Sequence, residues 1–420
     1  MTRFYAHTGF RKNIEEPNGI DIDGHLTVLK ALAAETTNDN KTQCIILEHI
    51  LPTTVEYIDW VNSIYPVCLV IAISYSVDPG TVDLLRSKGY NVHVPSSIEE
   101  MLANTWKVVA DAVSKLDVPV VYQEVGGYLA DWTSELAKLP NFLGCVEDTA
   151  NGLWRYQAAD KNKPLAVPVI SMADTPLKHV EDAMIGDSCV YSLEKVLRSQ
   201  MSSSLQGVRC GVVGWGHIGK SAAAAFAGRH ALVGIYDINP IVNMLGYAEG
   251  YDPVPLSAML SEFDIVMGCS GRRSIRVADI DNLKNGIILC SASSKDIEFD
   301  LAGFANLCDV EDLTQGRHCP IQKYTVRKTG KYFYILDRGT PIDFLDLSLQ
   351  GTILDCTCSE LFVCIRELAT NKHPPGIVAL TDNLQYAVAK KWLRLHAVAF
   401  ESAGAQSDKT FFFPESWDWT

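Results

Sequence analysis

A chain of 420 residues exceeds one ordinary domain, and 47% hydrophobic against 20% charged residues supplies core enough for two. A net charge of −14 and a pI near 5.2 exclude nucleic acid or an anionic membrane as the main partner. No apolar run nears the ~18 residues that a membrane helix requires.

The opening residues, MTRFYAHTGF, lack the apolar core of a signal peptide. The twelve cysteines show no framework spacing, and Cys356 and Cys358 are the only close pair. A reducing cytoplasm is therefore expected, with neither a zinc site nor a disulfide scaffold. Residues 1 to about 40 carry little readable chemistry. A helix is predicted from Thr27 to Ala34 and a polar loop from Thr36 to Gln43, with His25 a surface or capping residue. From Cys44 the pattern alternates. CIILEHI is a strand, TVEYIDWVNSI a helix, VCLVIAISYS a strand and TVDLLRSKG a helix. NVHVP, IEEMLANTWKVVADAVSKL and VPVVYQEV continue it as strand, long helix and strand. Such alternation predicts a parallel sheet with functional groups at strand C-terminal ends.

The first such end presents Thr54-Val55-Glu56 at the opening of a helix, where Thr and Glu are also ordinary capping choices. The strand ending at Gln123 runs into paired glycines, Gly126 and Gly127, where backbone must come close to something. A helix then leads to an acidic, small-residue loop from Gly144 to Gly152, which contains Glu147-Asp148-Thr149. The segment LAVPVISMADTPLKHVEDAMIGDSCVYSLEKVL supplies a strand, a loop and two helical pieces. Lys178 and Asp182 are four apart and share one helix face, which by itself describes an ordinary surface ion pair.

The stretch Val208 to Pro240, VRCGVVGWGHIGKSAAAAFAGRHALVGIYDINP, is the most informative. An apolar strand ends in Gly214-x-Gly216-x-x-Gly219, a small-residue helix follows to about Arg229, and a second strand ends in Asp237. This order is what dinucleotide binding needs. The first glycine makes the turn, the second admits a pyrophosphate against the backbone, and the third lets the helix lie on the strand. The helix N-terminus attracts the phosphates. Asp237 would accept hydrogen bonds from the adenosine ribose and repel a 2′-phosphate, so NAD is the expected cofactor. Gly214, Gly216, His217, Ile218, Gly219 and Asp237 form the candidate cofactor set, with His217 equally suited to facing solvent. Arg272-Arg273, after Gly271, is either an anion-holding pair or a solvated one.

Taken together, Thr54-Val55-Glu56, Gly126-Gly127, Glu147-Asp148-Thr149, Lys178 through Asp182 and Gly214 to Pro240 resemble the S-adenosylhomocysteine hydrolases. The resemblance runs from roughly Cys44 to Ala397, and IILCSASSKDIEFD and the hairpin YTVRKTGKYFYIL fall where that family has similar segments. It implies an α/β fold with a Rossmann-type NAD domain inserted in a second α/β substrate domain. On that basis residues 1–190 and 351–400 form the substrate domain, 191–350 the NAD domain and 401–420 an aromatic tail. The family uses bound NAD to oxidise the 3′-hydroxyl of an adenosine moiety, which acidifies the neighbouring C–H for elimination of a thiol and addition of water.

Carried onto this chain, the resemblance gives Thr54, Glu56 and Asp148 to the adenosine part and Lys178 and Asp182 to the hydroxyl that is oxidised. Lys178, desolvated and lowered toward neutrality, would accept the hydroxyl proton, with Asp182 orienting it. Several family residues are replaced. Pro52, Val125 and Ala183 stand at positions of His, Asp and Asn; Ser291 to Ser294 lack the Asn and His near the nicotinamide; Asp343 and Gln350-Gly351 replace Asn and His-Pro. The redox pair is kept and the elimination groups are mostly lost. The expectation is an NAD-dependent enzyme acting on a sugar hydroxyl of an adenosine-like small molecule. The alternatives are a non-catalytic NAD-binding regulatory or interaction protein, and an adenosylhomocysteinase with substituted proton carriers. Phe411 to Phe413, Trp417 and Trp419 are too apolar to leave in water, so the tail docks on its own body or on a second subunit of a homo-oligomer.

Overall fold

Strand after strand from Cys44 onward is apolar on both faces, and such strands are stable only inside a sheet covered on each side. The computed structural model describes residues 26–396 apart from 317, 349 and 350. The aromatic tail, His25 and Gln350 lie outside the described residues.

The first sheet contains β1 (Gln43–Ile50), β2 (Val67–Val77), β3 (Val92–His93), β4 (Val120–Glu124), β5 (Phe142–Glu147) and β6 (Pro168–Ser171). The second contains β7 (Arg209–Val213), β8 (Leu232–Tyr236), β9 (Asp252–Pro253), β10 (Ile265–Gly268), β11 (Ile288–Ser291), β12 (Cys308–Asp312), β13 (Ile321–Val326) and β14 (Tyr332–Leu336). A last strand, β15 (Gly376–Ala379), returns to pair with β6, so the second sheet is an insertion in the first.

The first sheet has the order β15-β6-β5-β4-β1-β2-β3 and is parallel throughout. Along β1 the side chains alternate between two cores. Cys44, Ile46 and Ile50 pack with Phe362 and Ile365 of helix Thr352–Thr370, while Ile45 and Leu47 pack with Met101 and Val109 of helix Ile98–Ser114. The second sheet has the order β12-β13-β14-β11-β10-β7-β8-β9, and β12, β13 and β14 run antiparallel. Strand β12 carries no sequence signal. Apart from Cys308 its residues are exposed, and pairing with β13 alone makes it a strand.

Each sheet has a strand-order reversal between neighbouring parallel strands, at β1 and β4 in the first and at β7 and β10 in the second. A cleft opens at the C-terminal ends of the strands at such a reversal. The two clefts face each other. Instead of the two helical pieces expected after β6, one 25-residue helix, Pro176–Gln200, runs from the first sheet to the second, through the 190/191 boundary drawn from the sequence. It packs on helix His217–Gly228 at Gly186, where a Cβ would meet Ala222 N at 2.3 Å and Ile218 O at 2.4 Å. Only a glycine lets these backbones approach so closely, and near the start of the helix His179 reaches His217 beside the glycine turn, with ring centroids 4.2 Å apart. No helix among the described residues is long and apolar enough to cross a membrane.

Candidate active site

A crevice of about 1020 Å³ lies between the two sheets, at the upper end of the range for small-molecule sites. Glu48, His49 and Val125 from one strand reversal line it, and so do Val213, Gly214 and Cys269 from the other.

On the second-sheet side the glycine turn has the geometry that its spacing predicts. Gly214 has φ +102°, a conformation that a side chain rarely adopts. A Cβ on Gly219 would meet Gly214 O at 1.9 Å, so this glycine serves helix-on-strand packing. Over Gly216 there is nothing within 4 Å, and its φ of −81° is ordinary. The second glycine therefore keeps open space above the backbone, at a helix N-terminus with no side-chain cap. Asp237 lies at the end of β8. Its carboxylate accepts from Trp215 N at 2.9 Å and from Asn239 N at 2.9 Å, which fixes its direction and leaves lone pairs for ribose hydroxyls. Gly214, Gly216, His217, Ile218 and Asp237 line the crevice, while Gly219 lies behind it. These residues fit a dinucleotide. His217 does not simply face solvent, since its ring stacks on His179 with centroids 4.2 Å apart.

Glu298, which sequence reasoning does not single out, shapes the loop after β10. Fully buried, it accepts from Ser270 N, Gly271 N and the Ser293 hydroxyl. Ser293, which also accepts from Gly271 N at 3.0 Å, thus helps to hold this loop in place. Arg272 and Arg273 both line the crevice. The Arg272 guanidinium lies 4.8 Å from the Trp154 ring centroid, and Arg273 pairs with Asp300 at 3.4 Å.

On the first-sheet side Lys178 is the centre. Thr175 caps its helix by accepting from Lys178 N, and Pro176 opens the first turn. The ammonium is buried between Asp148 Oδ1, at 2.9 Å, and Glu181, which it contacts directly. Asp182 lines the same crevice without touching the ammonium. Burial alone pulls a lysine pKa down, but Asp148, Glu181 and Asp182 together outweigh it and raise Lys178 well above its ordinary range. The expectation of a lysine lowered toward neutrality is thereby overturned: three carboxylates surround one amine. The same burial, reinforced by Asp148, lifts Glu181 to about 7 and also raises Asp182.

Thr54 lines the crevice, but its hydroxyl is already engaged, donating to His49 O and Leu51 O and accepting from Leu51 N. Glu56 is not brought to the crevice. Its carboxylate accepts from Leu26 N and Trp60 Nε1, both at 3.1 Å. The paired glycines approach not a ligand but the chain itself, because a Cβ on Gly127 would meet Gly152 O at 2.8 Å. Their N–H groups donate to buried Glu147.

Glu48 and His49 sit at the C-terminal end of β1, and Glu181 lies three residues after Lys178. Sequence reasoning misses all three, although a strand end and an i,i+3 spacing are the signals that could find them. His49 Nδ1 contacts Ser76 Oγ, and its ring stacks on Phe344 at 4.3 Å. Burial, with the Lys178 charge, pulls it down to about 3, so the imidazole is neutral. Val125 lines the crevice, whereas Pro52 and Ala183 are exposed and are not among its lining residues. Asp343 does line it. Among the described residues no group of three or more His, Cys, Asp or Glu is placed to hold a metal ion.

Residues 187–344 match the family model of the S-adenosyl-L-homocysteine hydrolase NAD binding domain. The adenosylhomocysteinase of Haloquadratum walsbyi is 27% identical over 271 residues, covering 63% of this chain and 61% of that protein. The adenosylhomocysteinase of Halobacterium salinarum is 24% identical over 286 residues, covering 66% and 65%. The alignments thus span less than two thirds of these relatives. A solved structure of the pyruvate reductase of Chlamydomonas reinhardtii, 16% identical, covers 80% of this chain and 98% of its own at a TM-score of 0.41, too low to inform on activity.

Proposed function

We propose that this chain, a divergent relative of the adenosylhomocysteinases, is an NAD-dependent enzyme that oxidises a sugar hydroxyl of an adenosine-like small molecule. The observation that carries this reading is one crevice lined both by the open face of Gly216 and by Lys178, Asp148 and Asp182. When bound, NAD would supply a hydride acceptor. Gly216, at the open helix N-terminus, would bring its backbone N–H to the pyrophosphate, the Gly214 N–H being engaged by Tyr236 O at 2.7 Å, and Asp237 would hold the adenosine ribose. Lys178 Nζ would handle the hydroxyl proton of the substrate, while Asp148 and Asp182 orient the hydroxyls. Net hydrolysis is not part of the proposal. Val125 carries no proton, and the neutral His49, with a pKa near 3, is a poor base.

A second reading, a non-catalytic NAD-binding protein, is favoured by one observation: Lys178 Nζ is buried between the carboxylates of Asp148 and Glu181, an arrangement that favours the ammonium over the free amine. The two readings part in a single experiment. Purified protein loaded with NAD is titrated with adenosine and related nucleosides while absorbance at the reduced-nicotinamide band is followed. Reduction supports the enzyme; bound NAD that never changes redox state with any of them supports the second reading. Lys178→Ala is expected to abolish reduction and leave NAD affinity within about twofold, because the glycine turn is intact. Loss of NAD binding in that variant overturns the assignment of Lys178.

A further inference from the structure

Lys178 and Glu181 stand three residues apart on one helix, so their side chains share a face. Both are buried, with side-chain exposures of 9% and 11%, and their charged ends are in direct contact on the crevice wall. Asp148 touches the other side of the ammonium, and Asp182 lies beyond contact. Elsewhere around the pair are Glu48 and His49 at the end of β1, and Glu360 with Cys356 on helix Thr352–Thr370. A buried amine pressed against a buried carboxylate can exist as an ion pair or, after one proton crosses, as amine and carboxylic acid.

We propose that Glu181 is the proton partner of Lys178, holding it as an ammonium before substrate binds and taking its proton when the amine must act as a base. This rests on the oxidative reading above. First, a Lys178 N–H bond breaks and an O–H bond forms on Glu181, leaving a neutral pair. The substrate O–H bond then breaks and its proton goes to Lys178 Nζ, while the C–H electron pair departs as hydride; bound NAD would supply the two-electron acceptor. The pair ends one proton richer, as ammonium and carboxylic acid. Return of the hydride reverses each step, so the proton need not be exchanged with water. Glu181 suits the role because burial lifts its carboxyl to about 7, where it can hold a proton near neutrality. Asp148 is less suited, since in the same reading it is committed to the substrate.

The test uses the full chain without substrate. Lys178 is labelled with acetic anhydride across a pH series, and its peptide is quantified by mass spectrometry in wild type, Glu181→Gln and Glu181→Asp. In wild type, Lys178 is expected to become reactive only above the pH at which exposed lysines do. Glu181→Gln is expected to lower that midpoint by about one pH unit or more, the usual effect of removing a charge within a few ångströms, and Glu181→Asp to restore it in part. A midpoint unchanged in Glu181→Gln overturns the proposal. In the reduction assay, wild type is expected to show a limb near pH 7 that Glu181→Gln lacks at unchanged KM; a limb kept in the variant also overturns it. Absence of reduction in wild type with every nucleoside, alongside a shifted labelling midpoint, overturns the oxidative reading and leaves Glu181 as the group that sets the charge of Lys178.

Discussion

Glu48 is a buried carboxylate at a strand end on the crevice wall. It accepts from Gln123 Nε2 at 3.1 Å and from His49 N at 2.8 Å, and burial together with the Asp148 charge pushes it up to about 8. Its folded pKa lies above its unfolded one. Between about pH 4.5 and pH 8 the folded protein therefore binds more protons than the unfolded chain, and this group's stabilisation is lost as pH rises through that window. A tenfold change in proton affinity corresponds to about 1.4 kcal/mol, so Glu48 alone changes stability by a few kcal/mol at most. Glu48→Gln imitates the protonated acid at every pH. Thermal melts at pH 5 and pH 8 are expected to show wild type losing more stability than the variant; equal losses would contradict the assignment. His49 acts in the opposite direction. Its pKa is lowered from 6.5 to about 3, so its contribution falls as pH drops below about 6.5. The two windows overlap from about pH 4.5 to pH 6.5, where the opposite slopes cancel and the combined contribution of the two groups is greatest.

The glycine turn separates two requirements that sequence alone merges. Gly219 is needed by the fold, since its Cβ would enter Gly214 O, which is backbone and cannot move aside. Gly216 is needed by nothing inside the protein. Gly216→Ala is therefore expected to fold with a melting temperature within about 1–2 °C of wild type while weakening NAD binding tenfold or more in calorimetric titration, because a methyl group fills the space kept for a pyrophosphate. Gly219→Ala is expected to lower the melting temperature itself. Equal NAD affinity in Gly216→Ala and wild type would remove the phosphate from this turn. Helix Pro176–Gln200 makes the complementary point. Its caps explain where it begins, but Gly186 explains where it goes, by letting it settle onto the helix that follows the glycine turn.

Across the whole molecule the two sheets are tied at the edge of the crevice by Lys295, which extends from the loop after β11 to donate to Gly126 O at 3.3 Å over the Tyr128 ring. Arg155 donates to the same carbonyl at 3.1 Å. Burial, with Arg155 nearby, lowers Lys295 to about 8, so the tie carries charge at neutrality and loses it as pH rises past that value. Lys295→Ala is expected to speed hydrogen exchange at residues 126–128 several-fold and to lower the melting temperature by a few degrees. Unchanged exchange there would show that the sheets are held together by other contacts.

What the sequence determined by itself was local. The short apolar runs mark β1, β2 and β4 to within two residues at each end, since burial on both faces leaves such runs no other stable state, whereas β5 lies partly in a stretch read as a loop and becomes a strand by pairing between β4 and β6. The spacing of Gly214, Gly216, Gly219 and Asp237 marks the cofactor turn, because it depends on backbone geometry within one short unit. The charge state of Lys178 belonged to the tertiary structure. Asp182, four residues away, was visible on its face, but the decisive neighbours were Glu181 and Asp148, and Asp148 arrives from a different strand end. Glu56 went the other way, drawn from the crevice by Leu26 N and Trp60. A motif fixes what a backbone can do within a few residues. Electrostatic energy sums over every charge that folding brings near, and no spacing along the chain records that sum.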